Sequence, residues 1–236
     1  IKTNLEACFP HDRVRVVGAP CTDLRRGHPL NIGLDVACAY RERYGFACIL
    51  DDDDILYPNF TSRLVRALET SGADIVYGSS LRRDQNGRVT LGYDVLPFTS
   101  LLAANFITTN SYVVRTDFLS EHQIRTASDM HYLEDYSLLL RMLESGVIAH
   151  CIAEPISEFT TGSDGNTTER EHPEEFSRCQ DIISLLQSRV AACTRLADFR
   201  AELLAFPFNC RSPLTQSEYE ILTRTENALA YGNANA

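Results

Sequence analysis

The segment Phe46-Ala47-Cys48-Ile49-Leu50 is apolar throughout and runs directly into Asp51-Asp52-Asp53-Asp54. An unbroken apolar run of strand length suits a parallel strand covered on both faces of a sheet. Four consecutive carboxylates cannot follow it into that interior, so the chain must reach the end of the sheet at residue 51. If extended geometry persists for two more residues, Asp51 and Asp53 fall on the same side. Carboxylates brought together drive at least one towards protonation unless a cation joins them. Oxygen ligands of this kind suit Mg²⁺ or Mn²⁺, with bound phosphates completing the shell. The position also fits, because ligands of open α/β sheets collect beyond the carboxyl ends of strands. The alternative is a solvated acidic loop whose aspartates cap the next helix. An EF-hand is disfavoured: Ile55 and Tyr57 stand where that loop needs ligands, and its glycine is missing.

The neighbouring segments read as alternating elements. Val14 to Val17 is a short strand candidate, followed by a polar loop to Pro29. Residues 30–43 carry Leu30, Leu34, Ala37 and Cys38 at helical spacing. Pro58 opens a second helix with Leu64, Val65 and Leu68 on one side, and Gly72 ends it. Asp74 to Gly78 reads as a strand, Asn86-Gly87 as a hairpin turn, and residues 110–115 as another strand. Leu133 to Leu143 forms a strong helix closed by Gly146, and Val147 to Ile156 is extended. This alternation predicts βαβ units and a mostly parallel sheet. Residues 174–205 are helix-rich, and Thr215-x-x-Glu218 is a capping box for a last helix. The expected organisation is an α/β domain over 1–170 and a helical extension over 171–236.

Glu134-Asp135 open the helix at 134. Acidic residues in a first turn favour the helix dipole, which alone would explain them. A general base is the functional alternative, since a helix N-terminus favours an ionised carboxylate. The pair becomes informative only together with the aspartate run.

Composition narrows the function classes. With a net charge of −10 the chain lacks the basic balance expected of a nucleic-acid binder. Its acidity does not exclude phosphate substrates, because a bound metal reverses the local sign. Lys2 is the sole lysine, so a Walker-type Gly-Lys-Ser/Thr and Schiff-base chemistry on an internal lysine are ruled out. The 8 cysteines form no C-x-x-C pair, and free buried thiols are the expected state. No apolar run approaches the roughly 18 residues of a membrane span, and no signal peptide is seen. The cytoplasm is the expected location, or the inner face of the membrane as a peripheral protein.

The order of motifs resembles glycosyltransferase family 2, whose fold is the GT-A nucleotide-sugar transferase fold: a Rossmann-like, mostly parallel sheet flanked by helices. The matching pieces are Asn31-Ile-Gly33-Leu-x-x-Ala37, Ile49-Leu50-Asp51-Asp52-Asp53-Asp54 with Pro58, and Ala73-Asp74-Ile75-Val76-Tyr77-Gly78. Tyr112-Val-Val-Arg115-x-x-Phe118 and Glu134-Asp135-Tyr136-x-Leu138-x-Leu140-Arg141 complete the series. The resemblance implies that Asp51 and Asp53 are the D-x-D pair, on the metal, with Asp51 near the donor ribose. It implies donor contacts from Asn31, Asp51, Asp52 and Asp54, although Asn31 is equally well a helix cap. Asp135 would be the catalytic base, with Glu134 beside it. The family's first strand has no counterpart before Thr3, so the domain is expected to be incomplete at its N-terminus. A base-contacting acid is also missing near Gly18 to Asp23.

The resemblance thus implies an inverting, metal-dependent glycosyltransferase. Its donor is a nucleotide-diphosphate sugar and its acceptor a hydroxyl on a glycan or lipid-linked glycan, as in cell-envelope polysaccharide assembly. The rival readings are a non-catalytic domain of this fold acting as a binding module, and a nucleotidyltransferase of similar topology. The latter usually carries an early glycine-rich loop with basic residues, which is absent here. Residues 160–166 would form a loop over the donor phosphates or a plain linker. His172 would lie near the metal or be a surface residue. Tyr132 and Tyr136 would stack on a sugar or pack in the core. The helices after 173 would form an acceptor cap or a homodimer surface.

Overall fold

The computed structural model describes residues 26–93, 95–161 and 172–193. The expected strand at Val14 to Val17, the loop beyond Thr161 and the last helix lie outside the described residues. Helix α1 spans Gly27–Ala39; strands β1 (Phe46–Ala47) and β2 (Ile55–Leu56) flank the aspartate run. Helix α2 (Phe60–Ser71) leads to the long strand β3 (Ile75–Arg83), which turns back into β4 (Val89–Tyr93). After two short 3₁₀ turns come β5 (Tyr112–Arg115), α3 (Thr116–Glu121), α4 (Glu134–Glu144), β6 (Ala149–Thr160) and α5 (Pro173–Cys193).

These strands form one sheet in the order β1-β5-β3-β6-β2, with β4 also paired to β3. Strand β3 is the spine: β5 and then β4 occupy one of its edges, and β6 follows the other along its whole length. The sheet is mixed, not mostly parallel. Among the described residues β3 and β6 pair in parallel, and the other four pairings are antiparallel. The chain alternation of strands and helices does not specify strand direction when a hairpin such as β3–β4 returns on the same edge.

The period-2 pattern of the strands sorts the core into two layers. Ile75 and Tyr77 of β3, with Tyr112 and Val114 of β5, face a cluster built by α1, α3, α4 and α5. Val76 and Val113, the intervening residues, face the opposite cluster with Phe60, Leu64 and Leu68 of α2. Helix α2 ends at Gly72, which takes φ +70° in the left-handed region. Helix α5 buries Cys179, Ile183, Leu186 and Val190 in the larger cluster. Tyr132 and Tyr136 are core residues; the Tyr136 hydroxyl donates to Leu101 O and accepts from Gln187 at 2.8 Å.

Three local expectations change. The first helix is Gly27–Ala39, not 30–43, because it starts where the Gly27 N–H donates to Met130 O at 3.0 Å and closes at Tyr40. The run at 46–50 is not a buried parallel strand. Among the described residues only its first two pair, antiparallel to β5, and Cys48 and Leu50 are exposed. The free thiols of Cys48 and Cys151 are exposed, whereas those of Cys38 and Cys179 are buried as expected. The length of a five-residue apolar run alone does not report burial.

Leu64 is fully buried on the face remote from the aspartates. Leu64→Ala should lower unfolding free energy by about 2–5 kcal/mol, read from urea denaturation. A loss well under about 1 kcal/mol would contradict the α2 packing.

Candidate active site

The four aspartates form a turn, closed by the Asp54 N–H donating to Asp51 O at 3.2 Å. They do not continue the strand. The end of β6 pins this turn: the Thr160 N–H donates to Asp54 Oδ1 at 3.1 Å, and the Thr160 hydroxyl to Asp53 O at 2.7 Å. A turn therefore stands where strand alternation was expected to align Asp51 and Asp53. Asp51, Asp53 and Asp54 line one cavity of about 330 Å³, and Asp135 lines it from the other side. Asp52 is exposed and does not line it.

The opposite wall starts at the N-terminus of α4. Leu133, the residue before the helix, has φ +60° and ψ +19°, a left-handed conformation that is strained for a branched side chain. It sets the direction in which Glu134 and Asp135 leave the first turn, and it lines the acidic cavity itself. Asn105 donates its amide to Asp135 Oδ2 at 3.1 Å. The two neighbouring acids are separated by this geometry. Asp135 faces the acidic cavity, whereas Glu134 lines a second, more apolar one of about 480 Å³ with Arg26, Gly33, Leu34, Ile49 and Leu50. Asp51 and Thr109 line both cavities.

Arg26 supplies positive charge at this junction. Its guanidinium lies 3.2 Å from Glu134 Oε1 and 3.5 Å from Asp51 Oδ2. The start of α1 is sewn to the loop before α4, which brings Arg26 there. A Cβ at Gly27 would meet Ala127 O at 2.2 Å, so the close backbone approach requires glycine. Asn31 completes the seam. Its amide donates to Thr126 O at 2.9 Å and accepts from the Thr126 N–H at 3.0 Å. Asn31 therefore sits inside α1, not at its cap. Its polar group is engaged by backbone, and it does not line either cavity.

The electrostatics record the crowding. Burial, reinforced by Asp51 and Asp53, pushes the Asp54 carboxyl up to about 6 against the Thr160 hydrogen bond. Burial first, then the neighbouring Asp135, pushes Glu134 up to about 7, with Arg26 opposing. Asp135 is raised too, chiefly by burial, despite the Tyr136 N–H, Asn105 and Arg26. Desolvation thus outweighs the helix N-terminus that favours the ionised form. Among the described residues no three acidic, histidine or cysteine side chains form a ready-made metal cage. The donor set is all hard carboxylate oxygen, which fits Mg²⁺ or Mn²⁺ held by one or two carboxylates plus substrate phosphates. His172 is exposed.

Arg26, Asn105 and Thr160 were not singled out from sequence. Arg26 and Asn105 lie in unremarked segments, Thr160 opens the 160–166 loop, and each acts through a contact distant in the chain.

A carboxyl whose folded value is raised contributes full stability below its unfolded value, and that stability is lost as pH rises through the folded one. For Glu134 this window runs from about 4.5 to about 7. In metal-free protein, wild type should lose stability relative to Glu134→Gln across that range. Thermal unfolding of both at pH 5 and pH 8 measures this; a pH-independent difference would contradict the buried, crowded site.

No protein-family model and no curated protein matches the chain. Among solved structures it resembles S. aureus TarS 1–349 in complex with UDP-GlcNAc, with TM-score 0.58 and 14% identity over 98% of this chain and 69% of that one. The crystal structure of S. aureus TarS 1–349 gives TM-score 0.51 and 13% identity, covering 88% of this chain and 60% of that one. The crystal structure of S. aureus TarS gives 0.51 and 14%, covering 88% and 37%. At this identity the likeness shows the fold: a single mixed sheet flanked by helices, broadly GT-A-like.

Proposed function

We propose that this chain is a glycosyltransferase that moves a sugar from a nucleotide-diphosphate sugar to a hydroxyl of a glycan or lipid-linked acceptor, with inversion. The observation that carries this reading is the meeting of Asp51, Asp53 and Asp54 with Asp135 in one cavity, from segments far apart in the chain. The adjoining apolar cavity, reached past Asp51 and Thr109, offers room for the nucleoside. The shared fold of TarS, crystallised with UDP-GlcNAc, supports the same reading.

Asp53 and Asp51 would hold a divalent cation, Mn²⁺ or Mg²⁺, with Asp54 supporting. When bound, the cation supplies Lewis-acid neutralisation of the departing diphosphate. Asp135 takes the proton of the acceptor hydroxyl as its oxygen bonds to the anomeric carbon and the bond to the diphosphate breaks. Burial suits this role, because a raised carboxylate is a stronger base near neutral pH. Asn105 holds the carboxylate through Oδ2. Glu134 orients Arg26 towards Asp51 at the junction of the two cavities. Asn31 positions α1 through Thr126, and Asp52 would meet the donor only from the exposed side of the turn.

Calorimetry with UDP-GlcNAc and a panel of other nucleotide sugars, with and without Mn²⁺, tests the reading. Wild type should bind one of them in a metal-dependent manner, and Asp53→Ala should abolish that dependence. Asp135→Asn should retain donor binding and lose transfer by about 10²- to 10⁴-fold. Binding indifferent to both metal and Asp53→Ala would remove the metal from the account.

A further inference from the structure

Tyr93 and Phe159 form a wall of the acidic cavity to which the reading above gives no role. The two rings stack with centroids 5.6 Å apart and an interplanar angle of 17°. They come from different strands, β4 and β6, and both are only partly buried. Phe159 lies in regular register with β3, but Tyr93 is not placed there by regular strand geometry. Ser80 of β3 pairs with Tyr93, but Leu81 pairs with Leu91, so Gly92 is the extra residue of a β-bulge. In a regular strand residues 91 and 93 would share a face. The bulge puts them on opposite faces: Leu91 is exposed, and Tyr93 lines the cavity. Phe159 is set against the bulge itself. A Cβ on residue 92 would meet Phe159 Cε1 at 2.4 Å and Ser80 O at 2.8 Å. Glycine is therefore the residue that lets the ring lie there.

We propose that Tyr93 and Phe159 form a carbohydrate-binding platform that selects a pyranose ring as the acceptor, presenting its hydroxyl to Asp135. Naming the ring an acceptor rests on the transferase reading above. The chemistry of the wall is independent of it. An aromatic face carries partial negative charge and attracts the weakly positive C–H groups on the apolar face of a pyranose. A flexible linear polyol has no such flat face to offer. Asp135, Asn105 and Thr108 line the same cavity and supply polar groups to the hydroxyl-bearing edge. An apolar wall with a few convergent polar groups is the usual make-up of a small-ligand pocket.

Saturation-transfer NMR on the full chain tests this with methyl glycosides of glucose, galactose and N-acetylglucosamine, and with glycerol as the linear control. Wild type should show transfer to the ring C–H protons of at least one hexopyranoside and not to glycerol. Tyr93→Phe should retain it. Tyr93→Leu should bind that glycoside about 5- to 10-fold more weakly, the loss expected for one aromatic contact. Gly92→Ala, whose Cβ would meet the Phe159 ring and Ser80 O at the bulge that aims Tyr93, should weaken it as well. Circular dichroism confirms that each variant is folded before it is scored. Wild-type affinity in folded Tyr93→Leu, or no transfer to any hexopyranoside, would overturn the platform. Ring binding lost in Tyr93→Leu, in a chain that takes no nucleotide sugar, would sink the transferase reading while supporting the platform.

Discussion

The conflict between buried carboxylates and their mutual repulsion governs this molecule. Asp51, Asp53 and Asp54 meet Glu134 and Asp135 around two adjoining cavities, with Arg26 as the cation between Asp51 and Glu134. That pairing is half-exposed on the Arg26 and Asp51 sides, where an ion pair contributes about 0–1 kcal/mol. It does not cancel the desolvation that raises Asp54, Glu134 and Asp135. Among the described residues, Asp54, Glu134 and Asp135 therefore keep raised carboxyls despite Arg26. Arrangements of this kind mark sites that take a cation or a proton in function.

The scaffold that imposes the arrangement is built around β3. Strand β6 follows β3 with register shifts near Gly78 and Ser79, then reaches Thr160, which clamps the aspartate turn. On the other edge the bulge at Gly92 redirects Tyr93 into the same cavity. The bulge at Gly92 thus lies beside the site, where it re-aims a side chain. Strain is also local: Leu133 adopts a left-handed backbone immediately before the two acids of α4. The two-layer core, with α2 on one face and α1, α4 and α5 on the other, is regular by comparison.

Local signals were legible in the sequence wherever the chain itself decides the outcome. Gly72 stops α2, Asn86-Gly87 lies in the turn between β3 and β4, and the Leu138 to Leu143 pattern gives α4 its buried face. The meeting of the aspartate run with Asp135 was also anticipated, through the order of the motifs. Long-range contacts were not legible. Nothing near Asn105 or Thr160 announces a hydrogen bond to Asp135 or Asp54. Asn31 fits a donor contact or a cap by position, yet Thr126, distant in sequence, takes both ends of its amide. Phe46 to Leu50 fails for a related reason: pairing partners decide where a strand ends, and only two of its residues pair with β5.

The proposed cation among these acids has a direct thermodynamic signature. Where Asp54 and Glu134 are partly protonated, a metal that binds the site must displace protons. Calorimetry of Mn²⁺ binding at pH 6, in buffers of different ionisation enthalpy, counts them. The account predicts a net proton release that disappears at pH 8.5. Binding with no proton release at pH 6, or no binding in the presence of a nucleoside diphosphate, would contradict it.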